Sequence, residues 1–93
     1  MHNRAEIRVY THEGCPGGER ALSFFYLHDI EIEVKDIGKD PSARDEFQRF
    51  GYFVTPVIII NGNELIGFDV EEVQHLMENI DFAPSNGEEE YSE

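Results

Sequence analysis

The sequence is poor in cysteine and tryptophan: its 93 residues include one cysteine, Cys15, and no tryptophan. A single cysteine cannot form a disulfide within the chain, which excludes both a disulfide framework and a dithiol redox cycle. Zinc sites with four cysteines, or with two cysteines and two histidines, are excluded because they need more than one thiolate. We therefore assign no metal ligand and expect no tightly bound cofactor.

Basic residues are also scarce, with 7 Lys and Arg against 20 Asp and Glu, which gives a formal net charge of −13. Such a charge repels phosphate groups, so neither nucleic acid nor an acidic membrane surface is expected as a partner. The longest apolar runs, such as residues 57–60, are far shorter than the roughly 18 residues that a membrane span needs. No apolar segment of signal-peptide length is present near residue 1, and we expect a soluble, cytoplasmic monomer.

Length and charge distribution predict one domain over residues 1–80 and a tail over residues 81–93. The tail contains five acids and no base, together with Pro84, Ser85, Asn86 and Gly87. It has too little apolar surface to offset the entropy of ordering, so we predict that it is disordered.

The apolar periodicity predicts seven elements in the order βαβαββα, with helices packed on a four-stranded sheet. Asp40-Pro41 has the form of a helix start, Gly51 marks the end of that helix, and Asn61-Gly62 is a hairpin signal. Asp69 is placed to cap the last helix. The predicted strands cover residues 7–10, 30–34, 57–60 and 64–68, and the predicted helices cover residues 16–27, 41–50 and 70–80.

Cys15 lies where the first strand gives way to the first helix, with Pro16 at the first helical position. Its sulfur would face the free N–H groups of Gly17 and Gly18 and the positive end of the helix dipole, which favours the thiolate. The two glycines lack a Cβ, and we expect them to let another backbone or a thiol approach closely. An inert buried cysteine is the alternative.

In this context the sequence resembles the glutaredoxins, within the thioredoxin-fold superfamily, over about residues 6–80. The resemblance implies a mixed four-stranded sheet flanked by helices. It rests on four features in the same order: Val9-Tyr10-Thr11 before Cys15-Pro16, Thr55-Pro56 opening a strand, the hairpin, and Gly67-Phe68-Asp69 before the last helix.

The resemblance implies a role for each of these residues. Cys15 would be the nucleophile, supported by Pro16, Gly17 and Gly18, and Pro56 would be a cis-proline beside it. Thr55 would offer its backbone N–H and C=O to an extended thiol substrate, as an added strand does. The γ-glutamyl end of glutathione would lie at Gly67, Phe68 and Asp69.

The sequence departs from the family pattern at several positions. Gly18 replaces the second active-site cysteine, so the dithiol mechanism is lost. His12 stands where the family usually has a lysine that pairs with the glycine carboxylate of glutathione, and Tyr52 stands where a second basic residue is frequent. Pro16 replaces the glycine of the branch that carries iron–sulfur clusters.

Some residues have two interpretations at this level. His12 either binds a substrate carboxylate or stabilises the Cys15 thiolate, or it is a solvated loop residue. Asp69 is a helix cap, a ligand, or both. Tyr52 and Phe53 either form an aromatic wall beside Cys15 or pack under the loop, and packing is favoured.

The expected function is a monothiol glutaredoxin-like thiol-disulfide oxidoreductase. Cys15 would reduce mixed disulfides between protein thiols and a small thiol, with a second small thiol as co-reductant. Glutathione is the candidate small thiol by resemblance alone. Two alternatives stay open: a redox-silent or sensor-type module that binds a partner protein, and a carrier of a [2Fe–2S] cluster.

Overall fold

The computed structural model describes residues 6–78. Its four strands form one mixed sheet in the order β2-β1-β3-β4, in which β1 and β2 are parallel and the other pairs are antiparallel. The predicted order βαβαββα is confirmed. The elements are β1 (Ile7–Thr11), α1 (Pro16–Leu27), β2 (Glu33–Asp36), α2 (Pro41–Arg49), β3 (Val57–Ile60), β4 (Asn63–Ile66) and α3 (Val70–Glu78).

Backbone contacts divide the chain between Phe68 and Asp69. The sheet, α1 and α2 belong to one unit, and α3 belongs to the other. The predicted domain boundary at residue 80 stays a prediction, and the predicted tail over residues 81–93 lies outside the described residues. Among residues 6–78, no helix is both long enough and apolar enough to cross a membrane.

The central strands β1 and β3 form the core of the sheet. Val57, Ile58 and Ile60 are fully buried, as the apolar run of β3 predicts for a central strand. Val9 of β1 lies opposite Ile58 and Tyr10 lies opposite Val57. Because of this register, the end of β1 lies beside the start of β3, which places the loop after β1 next to the residues that precede Val57.

The predicted helix and hairpin signals are confirmed. Asp40 caps α2 by accepting a hydrogen bond from the N–H of Ser42 at 3.0 Å, and Pro41 follows at the first helical position. Gly51 takes a φ of 85° just after α2, a left-handed conformation that glycine adopts without strain. Asn61 and Gly62 have φ values of 48° and 86°, which suit a tight hairpin turn of the type I′ class.

The second strand begins later than the sequence pattern predicts, at Glu33 instead of Ile30. Asp29 takes a φ of 58°, and its N–H donates to the carbonyl of Tyr26 at 3.1 Å. The N–H of Ile30 donates to the carbonyl of Phe25 at 2.9 Å. These two bonds form a Schellman motif that ends α1, so Ile30 belongs to the helix cap and not to the strand.

The apolar residues of α1 are buried only in part. Ala21 and Phe25 are fully buried, as expected for the inner face. Leu27, the last residue of α1, is 78% exposed. Leu27 therefore does not belong to the core.

Candidate active site

Cys15 is the N-cap residue of α1, with an extended backbone (φ −87°, ψ 109°). Its Sγ accepts a hydrogen bond from the N–H of Gly18 at 3.4 Å. Its own N–H donates to the carbonyl of His12 at 3.2 Å, which closes the loop between β1 and α1. The sulfur therefore occupies the position in which a capping oxygen usually satisfies the free amides of a helix start.

The segment before β3 supplies the second side of the site. The Thr55–Pro56 peptide bond is cis, as the family resemblance implies. The hydroxyl of Thr55 donates to the Sγ of Cys15 at 3.2 Å. The carbonyl of Pro56 accepts from the N–H of Gly67 at 2.8 Å, which brings Gly67 to the same end of the sheet. Within residues 6–78, the backbone N–H and C=O of Thr55 make no hydrogen bond to another backbone group.

The pKa of the Cys15 thiol lies below its ordinary value. Burial, which leaves Cys15 only 7% exposed, acts to raise this pKa. The hydrogen bonds from the Thr55 hydroxyl and the Gly18 amide, together with the nearby Thr11 hydroxyl and Gly17 amide, outweigh burial and lower it. Each of these donors stabilises the charged form of the sulfur, which is the nucleophilic form.

The two glycines of the first turn let other parts of the chain approach closely, and the approach of a substrate thiol there stays a prediction. A Cβ at position 17 would lie 3.0 Å from the Cδ of Pro56. A Cβ at position 18 would lie 2.9 Å from the Cβ of Thr11 and would overlap its Oγ1. The space next to each glycine is therefore filled by Pro56 and by Thr11.

His12 lies on the surface of the loop between β1 and α1. Its Nδ1 is 2.9 Å from the carbonyl oxygen of Glu13, and Glu13 in turn pairs with Lys39 at 3.7 Å. Lys39 was not singled out from the sequence, since it follows β2 by three residues and carries no motif. The structure brings this cation to the loop in which the family usually has its lysine, whereas a role for His12 in binding stays a prediction.

Tyr52 and Phe53 have different environments, although they are adjacent in the sequence. The Tyr52 ring packs against the rings of Tyr10 and Phe47 at centroid distances of 6.4 and 5.7 Å, as the packing interpretation predicts. Burial, with Glu64 nearby, raises the pKa of Tyr52 to about 12. Phe53 is 91% exposed, so packing under the loop is wrong for this residue.

An open cavity of about 420 Å³ lies between α2 and the segment that leads to Pro56. Ile37, at its wall, donates its N–H to the carbonyl of Thr11 at 2.9 Å, so the cavity borders the end of β1. Arg44 contributes the positive charge of the lining. The lining residues are Ile37, Arg44, Phe47, Gln48, Tyr52 and Phe53.

Phe68 and Asp69, predicted at the glutathione end of the site, have local structural roles. The Phe68 ring packs against Phe24 of α1 at a centroid distance of 5.7 Å. Asp69 caps α3 by accepting from the N–H of Glu71 at 2.9 Å, so the capping interpretation is confirmed. A ligand role for either residue stays a prediction. Over residues 6–78, no group of three or more His, Cys, Asp or Glu residues could hold a metal ion.

Taken with the fold, this site defines the class of the protein: a hydrogen-bonded cysteine starts a helix beside a cis-proline, on a mixed four-stranded sheet of the thioredoxin type. A model of the glutaredoxin family matches residues 7–66, and the chain belongs to that family. Because the chain has a single cysteine, it is a one-thiol member. Family and fold together indicate thiol redox chemistry.

Similar proteins agree with this assignment. An uncharacterized glutaredoxin-like 8.6 kDa protein in the rubredoxin operon of Clostridium pasteurianum is 26% identical over 73 residues, which cover 77% of this chain and 97% of that protein. The crystal structure of the thioredoxin-like protein BC3987 is 30% identical with a TM-score of 0.69, over 76% of this chain and 99% of that chain. Glutaredoxin from Archaeoglobus fulgidus is 23% identical with a TM-score of 0.68, over 78% of this chain and 86% of that chain, and shows the fold.

Proposed function

We propose that this protein is a monothiol thiol-disulfide oxidoreductase that acts on mixed disulfides between a protein and a small thiol. The observation that carries the proposal is the Cys15 sulfur, which accepts hydrogen bonds from Gly18 at 3.4 Å and from Thr55 at 3.2 Å. These donors favour the thiolate, which is the species that attacks a disulfide. The absence of a second cysteine requires that the cycle be completed by an external thiol.

The proposed cycle has two exchange steps. The Cys15 thiolate attacks the small-thiol sulfur of the mixed disulfide, forms a new disulfide with it and releases the protein as a thiolate. A second small-thiol anion then attacks the small-thiol sulfur of that intermediate. This step forms the symmetrical small disulfide and regenerates the Cys15 thiolate. Overall, one external small thiol is consumed: the protein is released as a thiolate, and the small thiol from the mixed disulfide and the external one form the symmetrical disulfide.

Glutathione is the proposed small thiol. Its carboxylates need cationic partners, and the described residues near the site include Arg44 at the cavity and Lys39 beside Glu13. The unpaired backbone of Thr55 supports the binding of an extended peptide-like thiol next to Cys15. The formal net charge of −13 favours protein substrates that are basic around their disulfide.

A coupled deglutathionylation assay tests the proposal. Wild type and Cys15→Ser are compared on a small glutathione mixed disulfide, with glutathione reductase consuming the oxidised glutathione that is formed. We expect turnover in wild type and none in the serine variant, because only the thiolate forms the intermediate. Turnover in Cys15→Ser would contradict the mechanism, and absence of turnover in wild type would contradict glutathione as the co-substrate.

A partner-binding module is the second candidate function, and the small exposure of Cys15 favours it. The two candidates differ in the reactivity of the sulfur. Rapid alkylation of the folded protein by iodoacetamide at neutral pH is expected for the oxidoreductase. A thiol that reacts only after unfolding would favour the binding module. Visible absorption after anaerobic reconstitution with iron and sulfide would instead indicate a cluster carrier.

A further inference from the structure

Thr11, the last residue of β1, has a buried hydroxyl that lies against Gly18, the residue whose N–H binds the Sγ of Cys15. Thr11 is 5% exposed, and within residues 6–78 its Oγ1 has no partner at the geometry of a formed hydrogen bond. A buried hydroxyl without a partner is destabilising in a small protein. Its presence therefore needs an explanation other than stability.

The direction of this hydroxyl is given by its contact with α1. The Oγ1 of Thr11 points into the space that a side chain at position 18 would occupy, and a Cβ there would overlap it. Position 18 is where the two-cysteine members of the family have their second thiol. In this chain that volume is therefore filled by the Thr11 hydroxyl, next to Gly18, whose N–H already binds the Sγ of Cys15.

We infer that Thr11 is a positioning residue for the nucleophile: its hydroxyl fills the place of the second thiol and donates a hydrogen bond to Cys15 when the sulfur becomes a thiolate. The inference deepens the proposed function and rests on its nucleophilic cysteine. Ionisation turns the sulfur into a strong acceptor, and the hydroxyl has no competing partner in the described structure. The unpaired state of Thr11 thus belongs to the thiol form of the site.

The charged groups around Cys15 are the other candidate influence on the pKa of its thiol. The loop carries His12 and Glu13, α1 carries Glu19, and Lys39 pairs with Glu13. The leading influences on the pKa of Cys15 are instead burial and hydrogen bonds, Thr11 among them. Removal of the Thr11 hydroxyl should therefore change the titration of Cys15 without any change in charge.

Two matched pairs of variants isolate the hydroxyl. Wild type and Thr11→Val differ by a hydroxyl against a methyl group of similar size, and Thr11→Ser and Thr11→Ala differ by a hydroxyl against hydrogen. The thiolate is titrated by its ultraviolet absorbance in the full chain without any substrate. We expect the midpoint to rise by about one pH unit, or about tenfold in the thiol–thiolate equilibrium, in Thr11→Val. Thr11→Ser should titrate as wild type does, and Thr11→Ala as Thr11→Val does.

The titration separates this inference from the proposed function, because it needs no turnover. Equal midpoints within both pairs would overturn the inference even if the enzyme turns over mixed disulfides. A rise in both hydroxyl-free variants would support it even if glutathione is not the substrate. Thermal unfolding provides the structural control: Thr11→Val should be at least as stable as wild type, since it removes an unpaired buried hydroxyl. If Thr11→Val does not fold, the serine and alanine variants alone decide the outcome.

Discussion

The hydroxyl of Thr55 donates a hydrogen bond to the Sγ of Cys15 at 3.2 Å, although 40 residues separate the two in the sequence. The register that places Tyr10 of β1 opposite Val57 of β3 makes this contact possible. The same register leaves the Thr55 backbone beside the sulfur. One residue thus combines the proposed peptide-binding backbone with a side chain that stabilises the nucleophile.

Replacing Thr55 by valine should raise the pKa of Cys15, because the largest of the influences that lower it is this hydroxyl. Alkylation by iodoacetamide at neutral pH should slow by about three- to tenfold, as expected for the loss of one hydrogen bond to a charged group. The difference should disappear at alkaline pH, where both proteins are thiolates. Thr55→Ser is the control and should react as wild type does. A rate ratio that does not change with pH would indicate altered access instead of altered ionisation.

Gly17 and Gly18 provide a matched pair for the packing of the first helical turn. Gly18→Ala should lower the free energy of unfolding by about 1–3 kcal/mol, because its Cβ would collide with Thr11. Gly17→Ala should cost less, since its Cβ would crowd the Cδ of Pro56 at 3.0 Å without the overlap that Gly18→Ala creates. In a Thr11→Ala background, Gly18→Ala should lower the free energy of unfolding by less than it does in wild type. Urea unfolding of wild type, the two single variants and the double variant measures this coupling between the two positions. Additive effects would show that Thr11 and Gly18 do not compete for space.

Much of the framework around this site could be predicted from the sequence. Helix starts and turns are local features, so Asp40-Pro41, Gly51 and Asn61-Gly62 indicated the elements correctly. The position of Cys15 at the start of α1 follows from the same local logic. The contacts that join one element to another could not be predicted in this way, because they depend on the tertiary structure.

The interpretation of the two glycines shows this limit. A missing Cβ indicates that something lies close, but the sequence does not tell whether this is a ligand or the protein itself. The structure fills those spaces with Pro56 and Thr11, which come from two different strand ends. Ile30 is a similar case, since the alternating pattern there suits a strand, whereas its N–H is used to close the end of α1.

Phe53 is a candidate contact for protein substrates. It is 91% exposed and lies two residues before Thr55, so it is available next to the proposed substrate backbone. We expect Phe53→Ala to lower kcat/KM for a protein mixed disulfide by about five- to thirtyfold, as expected for the loss of one or two kcal/mol of apolar contact. The effect on a small mixed disulfide should be smaller, and the melting temperature should be unchanged. Tyr26→Ala is the control, because that ring is 82% exposed in the last turns of α1, away from Cys15. An equal loss in both variants would exclude a specific role for Phe53.

Glu46 of α2 connects the helix to the sheet, and its contribution to stability should depend on pH. Its Oε1 accepts from the hydroxyl of Tyr10 at 2.9 Å and lies 3.4 Å from the Nζ of Lys35. The hydrogen bond from Tyr10 is the largest influence on the pKa of Glu46 and lowers it. Lys35 lowers this pKa as well, whereas burial raises it by less than the hydrogen bond lowers it. A carboxyl whose pKa is lowered by folding stabilises the protein above its unfolded pKa, and this contribution is lost as the pH falls through the folded value.

Wild type should therefore be more stable than Glu46→Gln at neutral pH, and the difference should vanish in acid, where the protonated carboxyl is as uncharged as the amide. Urea unfolding across this range measures the difference. In a Tyr10→Phe background, which removes the main cause of the lowered pKa, the same substitution should show a weaker pH dependence. A difference that stays constant from neutral to acidic pH would mean that Glu46 acts through packing alone, because packing of these two side chains does not change with protonation.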